Sequence, residues 1–122
     1  MIVAGFGFTS RATVDSLLGA LSATGHTGPL DRIATASDKA GAPVFPAFAA
    51  SLGAPVTAID AVRIKAIQTE TQSRISHGAR GTGSVAEAAA LAAAGPGAVL
   101  MTRRHISHDR MATCAIAKGA DT

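Results

Sequence analysis

Five short apolar runs punctuate the chain: Ile2–Phe8, Leu30–Thr35, Pro55–Ile59, Ala98–Arg103 and Ala112–Ala117. Their lengths and their glycine and proline borders read as strands, and near-continuous apolarity is the mark of strands covered on both faces. Between the first four lie segments of helical periodicity. A strand that reaches its neighbour through a crossover helix pairs with it in parallel. The last two runs are joined only by the turn Ile106–Met111. That connection is too short for a crossover, so they form an antiparallel hairpin. The pattern predicts one domain, residues 1–122, of the α/β class. It is a three-layer α/β/α sandwich with a mostly parallel five-stranded sheet and an antiparallel C-terminal edge strand.

The helical segments differ in clarity. Val14, Leu17, Leu18 and Leu21 make one face of a first helix, capped by Thr9, Ser10 or Thr13 and ended by Gly25. Phe45, Phe48, Ala49 and Leu52 make a second face, with Pro43 and Pro46 confined to its first turn and Gly53 after it. Asp60 caps a short helix, Ala61–Ile67. Gln68–Gly83 is polar, lacks an apolar period and reads as a long loop; such loops are functional or mobile, and Gln68–Arg80 is expected to act as a lid. Ser84-Val85-Ala86-Glu87 is a capping box opening a helix that runs to about Ala94. Hydrophobic residues are 48% of the chain but aromatics only 3%, and alanine supplies most of the rest. A core so poor in large side chains requires close approach of helix and sheet.

Charge is unevenly placed. Residues 1–60 carry three basic and four acidic side chains, residues 61–119 eight basic and three acidic. The basic half points to an anionic partner. It has no dense Lys/Arg run, nucleic-acid motif or aromatic stacking platform, so a small polycarboxylate or phosphate fits better than nucleic acid. Cys114 is the single cysteine and reads as a small core hydrophobe, which precludes an internal disulfide and suits a reducing cytoplasm. The opening Met-Ile-Val-Ala-Gly-Phe-Gly-Phe has neither a basic leader nor an apolar run long enough for a membrane.

Ligands of open α/β sheets bind beyond the carboxyl ends of the strands. Topology sends Arg11 and Thr13 there after the first strand, and Asp38 and Lys39 after the second. Arg80, Gly81, Thr82, Gly83 and Ser84 arrive before the last helix, and Arg103, Arg104, His105, His108 and Arg110 around the hairpin turn. Two helix N-termini at the same rim favour anions. Gly5-Phe6-Gly7 reads as a tight strand-to-helix turn without the full dinucleotide fingerprint. His105-x-x-His108-Asp109 reads as solvated turn polarity rather than a metal site, and no His–Asp pair accompanies Ser84. No metal or cofactor is expected.

Gly5-Phe6-Gly7-Phe8, Arg11-Ala12-Thr13, Asp38-Lys39-Ala40-Gly41 and above all Gly81-Thr82-Gly83-Ser84-Val85-Ala86-Glu87-Ala88-Ala89-Ala90-Leu91 give the chain a resemblance to the CobE/CbiG C-terminal domain family. The resemblance extends to Ala115-Ile116-Ala117 and is to the free-standing, CobE-like form. It implies a cytoplasmic protein of cobalamin biosynthesis that binds a precorrin or corrinoid polycarboxylate in an accessory or carrier role, with other enzymes of the pathway as further partners. The binding set so implied is Gly5, Phe6, Gly7, Arg11, Thr13, Lys39, Arg80, Gly81, Thr82, Gly83, Ser84, Arg103 and Arg104. The alternative is a lactone-opening hydrolase like cobalt-precorrin-5A hydrolase, with Glu87 as general acid/base and Lys39 or Arg11 polarising a carbonyl. A nucleotide- or phosphate-binding module is a third reading, from fold analogy alone.

Overall fold

The computed structural model describes residues 1–74 and 84–120. In order the elements are β1 (Ile2–Phe8), α1 (Val14–Ala23), β2 (Arg32–Ala36), the single turn α2 (Ser37–Ala40) and α3 (Val44–Leu52). Then follow β3 (Val56–Ile59), α4 (Ala61–Arg74), α5 (Val85–Ala94), β4 (Val99–Ile106) and β5 (Ala112–Lys118). The sheet order is β3-β2-β1-β5-β4. β1, β2 and β3 pair in parallel, while β5 runs antiparallel to both β1 and β4. β4 therefore points the same way as the parallel strands. The α/β class stands as the sequence predicts, with one correction of position. The antiparallel C-terminal strand lies inside the sheet, and β4 takes the edge. Burial explains the exchange: most of β5 is buried, whereas β4 alternates and carries two exposed arginines that suit a solvated edge.

Side chains of β1 alternate between two layers. Ala4, Phe6 and Phe8 join Leu17 and Ala20 of α1, Phe45 and Phe48 of α3, and Cys114 and Ile116 of β5. All four phenylalanines of the chain meet in this layer. Phe6 meets Phe48 edge-on with ring centroids 5.0 Å apart, and Phe8 stacks on Phe45 at 5.6 Å. The opposite layer is built from Val3, Ala34, Ile59, Ile64, Ala88 and Ala89, with α4 and α5 above the sheet. One layer is thick and aromatic, the other thin and alanine-lined.

The thin layer depends on Gly5. A Cβ placed there would lie 2.1 Å from the Ala86 carbonyl oxygen and 2.5 Å from the Ala90 nitrogen, both of α5. No side chain fits, so the bare backbone of β1 lets the alanine helix settle directly on it. The strand reading of Ile2–Phe8 thus holds through Gly5-Phe6-Gly7, and the turn reading of those three residues does not.

Thr13 caps α1 in a full capping box with Ser16, and Asp60 accepts from the Arg63 amide at 2.8 Å to open α4. Gly53 ends α3 with φ of 70°, in the left-handed region. The expected loop from residue 68 onward is corrected in its first part, since α4 continues through Arg74. Its polar residues are ordinary helix formers, and helix does not require an apolar period to persist. The rest of the expected loop, residues 75–83, and with it the rest of the expected lid, residues 75–80, lies outside the described residues.

Candidate functional site

The carboxyl ends of β1, β2 and β3 open onto one rim. α5 starts there: a Cβ on Gly7, near the end of β1, would lie 3.6 Å from the Val85 Cβ. The β4–β5 turn closes the same end, with Phe8 registered opposite Ala112.

At the start of α5 the Ser84 hydroxyl accepts from the Glu87 amide at 3.1 Å, which is half of the expected capping box. The Glu87 carboxylate is buried and turns elsewhere: its Oε2 accepts from the Arg104 amide at 3.1 Å. That amide belongs to a stretch of β4 where the ladder with β5 is interrupted, between Thr102 and His105. An interruption of this kind leaves backbone groups without cross-strand partners. Glu87 supplies the missing acceptor and ties α5 to the edge strand. As a candidate acid/base it already holds a structural hydrogen bond.

Arg11 follows β1 and is exposed, while Lys39 sits on α2 after β2 and is half-buried, its Nζ 5.5 Å from the centre of the Phe8 ring. Among the described residues no carboxylate pairs with Arg11, Lys39, Arg103 or Arg104. Arg103 and Arg104 are both exposed on β4, and β5 separates that strand from β1. Two strand spacings, about 10 Å, thus part them from the β1 rim.

The start of α1 is occupied by the protein itself. The Thr13 hydroxyl accepts from the Ser16 amide at 3.2 Å, and the Ser16 hydroxyl donates to Asp109 Oδ2 at 2.6 Å. Asp109 Oδ1 accepts from the Ser107 hydroxyl at 2.6 Å and the Met111 amide at 3.0 Å. These donors, Ser107 first, hold its carboxyl below the usual carboxylate range. The turn they brace puts Arg110 at φ of 62°, in the left-handed region. A carboxylate at this N-terminus meets the helix dipole from within. Of the two expected anion-binding N-termini, that of α1 already has its anion. The sequence reads Asp109 as solvated turn polarity because its partner Ser16 is 93 residues away.

Phe6 is wholly buried among Phe45 and Phe48, and Gly5 lies beneath α5, so neither presents a surface to a ligand. Gly7 is half-buried beside Thr113, whose hydroxyl donates to its carbonyl oxygen at 3.3 Å. Arg80, Gly81, Thr82 and Gly83 lie outside the described residues. His105 keeps its Nδ1 2.9 Å from the Arg103 carbonyl oxygen, and Asp109 is engaged with serines, so the His-x-x-His-Asp stretch does not converge. No helix among the described residues is long and apolar enough to cross a membrane.

Comparison with known proteins gives a consistent picture. Among curated proteins no match was found. The solved structure of cobalamin biosynthesis protein chiG from Agrobacterium tumefaciens str. C58 is 36% identical, with a TM-score of 0.78 over 99% of this chain and 100% of that one. CobE, a protein from the cobalamin (vitamin B12) biosynthetic pathway, is 28% identical, with a TM-score of 0.75 over 96% of this chain and 89% of that one. A cobalamin biosynthesis protein G homolog from Sulfolobus solfataricus shares the fold at 19% identity and a TM-score of 0.69, over 95% of this chain and 36% of that one. The model of the family Cobalamin synthesis G C-terminus matches residues 2–117, and the chain belongs to that family of cobalamin biosynthesis proteins.

Proposed function

We propose that this domain binds a precorrin or corrinoid polycarboxylate and acts as an accessory or carrier protein in cobalamin biosynthesis. The reading is carried by the rim cations: Arg11 on the loop after β1 and Lys39 on α2 after β2 stand at the carboxyl ends of those strands, with no carboxylate partner among the described residues. A macrocycle edged with acetate and propionate groups meets such cations through charge-assisted hydrogen bonds. The start of α5, where Ser84 is half-buried and the Glu87 carboxylate turns to the Arg104 amide, adds a helix N-terminus. The bond between the Arg104 amide and Glu87 favours binding over a reaction in which Glu87 moves protons, because that oxygen already has a donor.

Titration with cobyrinic acid, a corrinoid polycarboxylate, followed by visible absorbance at low salt, tests the proposal. Binding in the micromolar range is expected, weakening as salt is added. Arg11→Ala with Lys39→Ala should weaken it at least about tenfold, the loss of two charge-assisted contacts. Cobinamide, whose peripheral acids are amides, should bind far less well. Absence of binding by cobyrinic acid at micromolar protein and ligand overturns the proposal.

A further inference from the structure

Strand β4 ends the sheet, and no described strand pairs with its outer side. It also carries large apolar side chains that the fold leaves in solvent: Val99 is 60% exposed, Met101 48% and Ile106 41%. The opposite edge, β3, has four residues, of which Val56 is the exposed large apolar one. An eight-residue edge with unpaired backbone groups and exposed apolar side chains is a template for another strand. Its only charged residues are Arg103 and Arg104, both exposed and without a carboxylate partner among the described residues.

We infer that β4 is a docking edge for an extended segment of another protein, added as a strand whose carboxylates lie opposite Arg103 and Arg104. Main-chain hydrogen bonds would hold the segment and the apolar side chains would flank it, as in other strand additions. The arginines decide the occupant. If two copies of this chain paired antiparallel through the middle of β4, the arginines of both would crowd about the two-fold axis, and like charges facing across strands repel. The same pair that rejects a second copy selects a segment with acidic residues at that register, which is discrimination by repulsion as well as attraction. Glu87 supports the arrangement from beneath, since its bond to the Arg104 amide holds the interrupted part of the strand. The edge is distinct from Arg11 and Lys39, being two strands away from β1.

The test uses two fluorescein-labelled peptides that alternate valine and threonine around a central pair of glutamates in one and lysines in the other. Anisotropy gives their affinities, and amide chemical shifts of the isotope-labelled protein give the location. The glutamate peptide should bind at least about tenfold more tightly than the lysine peptide, a difference expected of complementary against like charge. Shift changes should centre on residues 99–106. Arg103→Glu with Arg104→Glu should invert the peptide preference, whereas Arg11→Ala with Lys39→Ala should weaken cobyrinic acid binding and leave the peptide preference in place. Failure of corrinoid binding is thereby kept separate from failure of strand docking. Equal affinity for the two peptides, no binding of the glutamate peptide, shifts away from β4, or wild-type dimers paired through β4 would each overturn the inference.

Discussion

The Ser16 hydroxyl and the Asp109 carboxylate lie 2.6 Å apart, joining the first turn of α1 to the turn between β4 and β5. Asp109→Asn should lower the melting temperature, and the deficit should depend on pH. The folded carboxyl titrates below its ordinary value of 3.8, so its stabilisation is fully present above that pH and is lost as pH falls through the lower, folded value. Thermal melts of both proteins between pH 7 and pH 2, about the span that brackets carboxylate titration, should show a gap that is constant at the upper end and closes toward the lower. A gap that widens on acidification contradicts this account.

Gly5→Ala should be severely destabilising, by about 3 kcal/mol or more, because the added carbon meets backbone atoms of α5 rather than a side chain that can move. Gly19→Ala, in α1, is the control: the nearest atom is the Ser107 Cβ at 3.6 Å, an ordinary contact. It should be neutral or stabilising by up to about 1 kcal/mol, as expected for alanine in a helix. Urea denaturation of the two variants distinguishes close packing at one glycine from general sensitivity.

Glu87→Ala should cost roughly 1–3 kcal/mol, since it leaves the Arg104 amide without its acceptor. Glu87→Gln keeps an acceptor oxygen at the same reach and should cost less. Hydrogen exchange at Arg104 reads the bond directly, with protection lost in the alanine variant and largely kept in the glutamine one. Equal exchange in all three proteins would show that the carboxylate does not brace β4.

Cys114 is fully buried, and burial raises its thiol pKa well above the usual range. Iodoacetamide at mildly alkaline pH should leave the native protein unmodified and label it once in denaturant, as read by intact mass. Prompt labelling without denaturant would place the thiol in a different environment.

Strand and helix alternation was legible because it is a local property. So were the caps at Asp60 and Ser84, with Thr13 one of three candidates for α1, since each of these side chains bonds within its own first turn. What lay hidden was set by partners distant in the chain. Glu87 fits a capping box by spacing, yet its carboxylate goes to an amide 17 residues away, made available by an irregular ladder that no sequence pattern announces. Gly5 and Gly7 look like turn residues until α5 is seen above them. The inner place of β5 follows from its pairing with β1, which hairpin logic cannot distinguish from an edge position. Residues 68–74 were read as loop because their polarity hides a helix that has little apolar face to show.

The unequal thickness of the two layers has an evolutionary corollary. Around Phe6, Phe45 and Phe48, volume can be redistributed among neighbours, so one large apolar residue can replace another if its partners adjust. Where Gly5 meets Ala86 and Ala90 there is no volume to trade, and nothing smaller than glycine exists. Sequence drift in this domain should therefore be lopsided, with the phenylalanine side wandering through compensated exchanges while the glycine–alanine seam stays frozen.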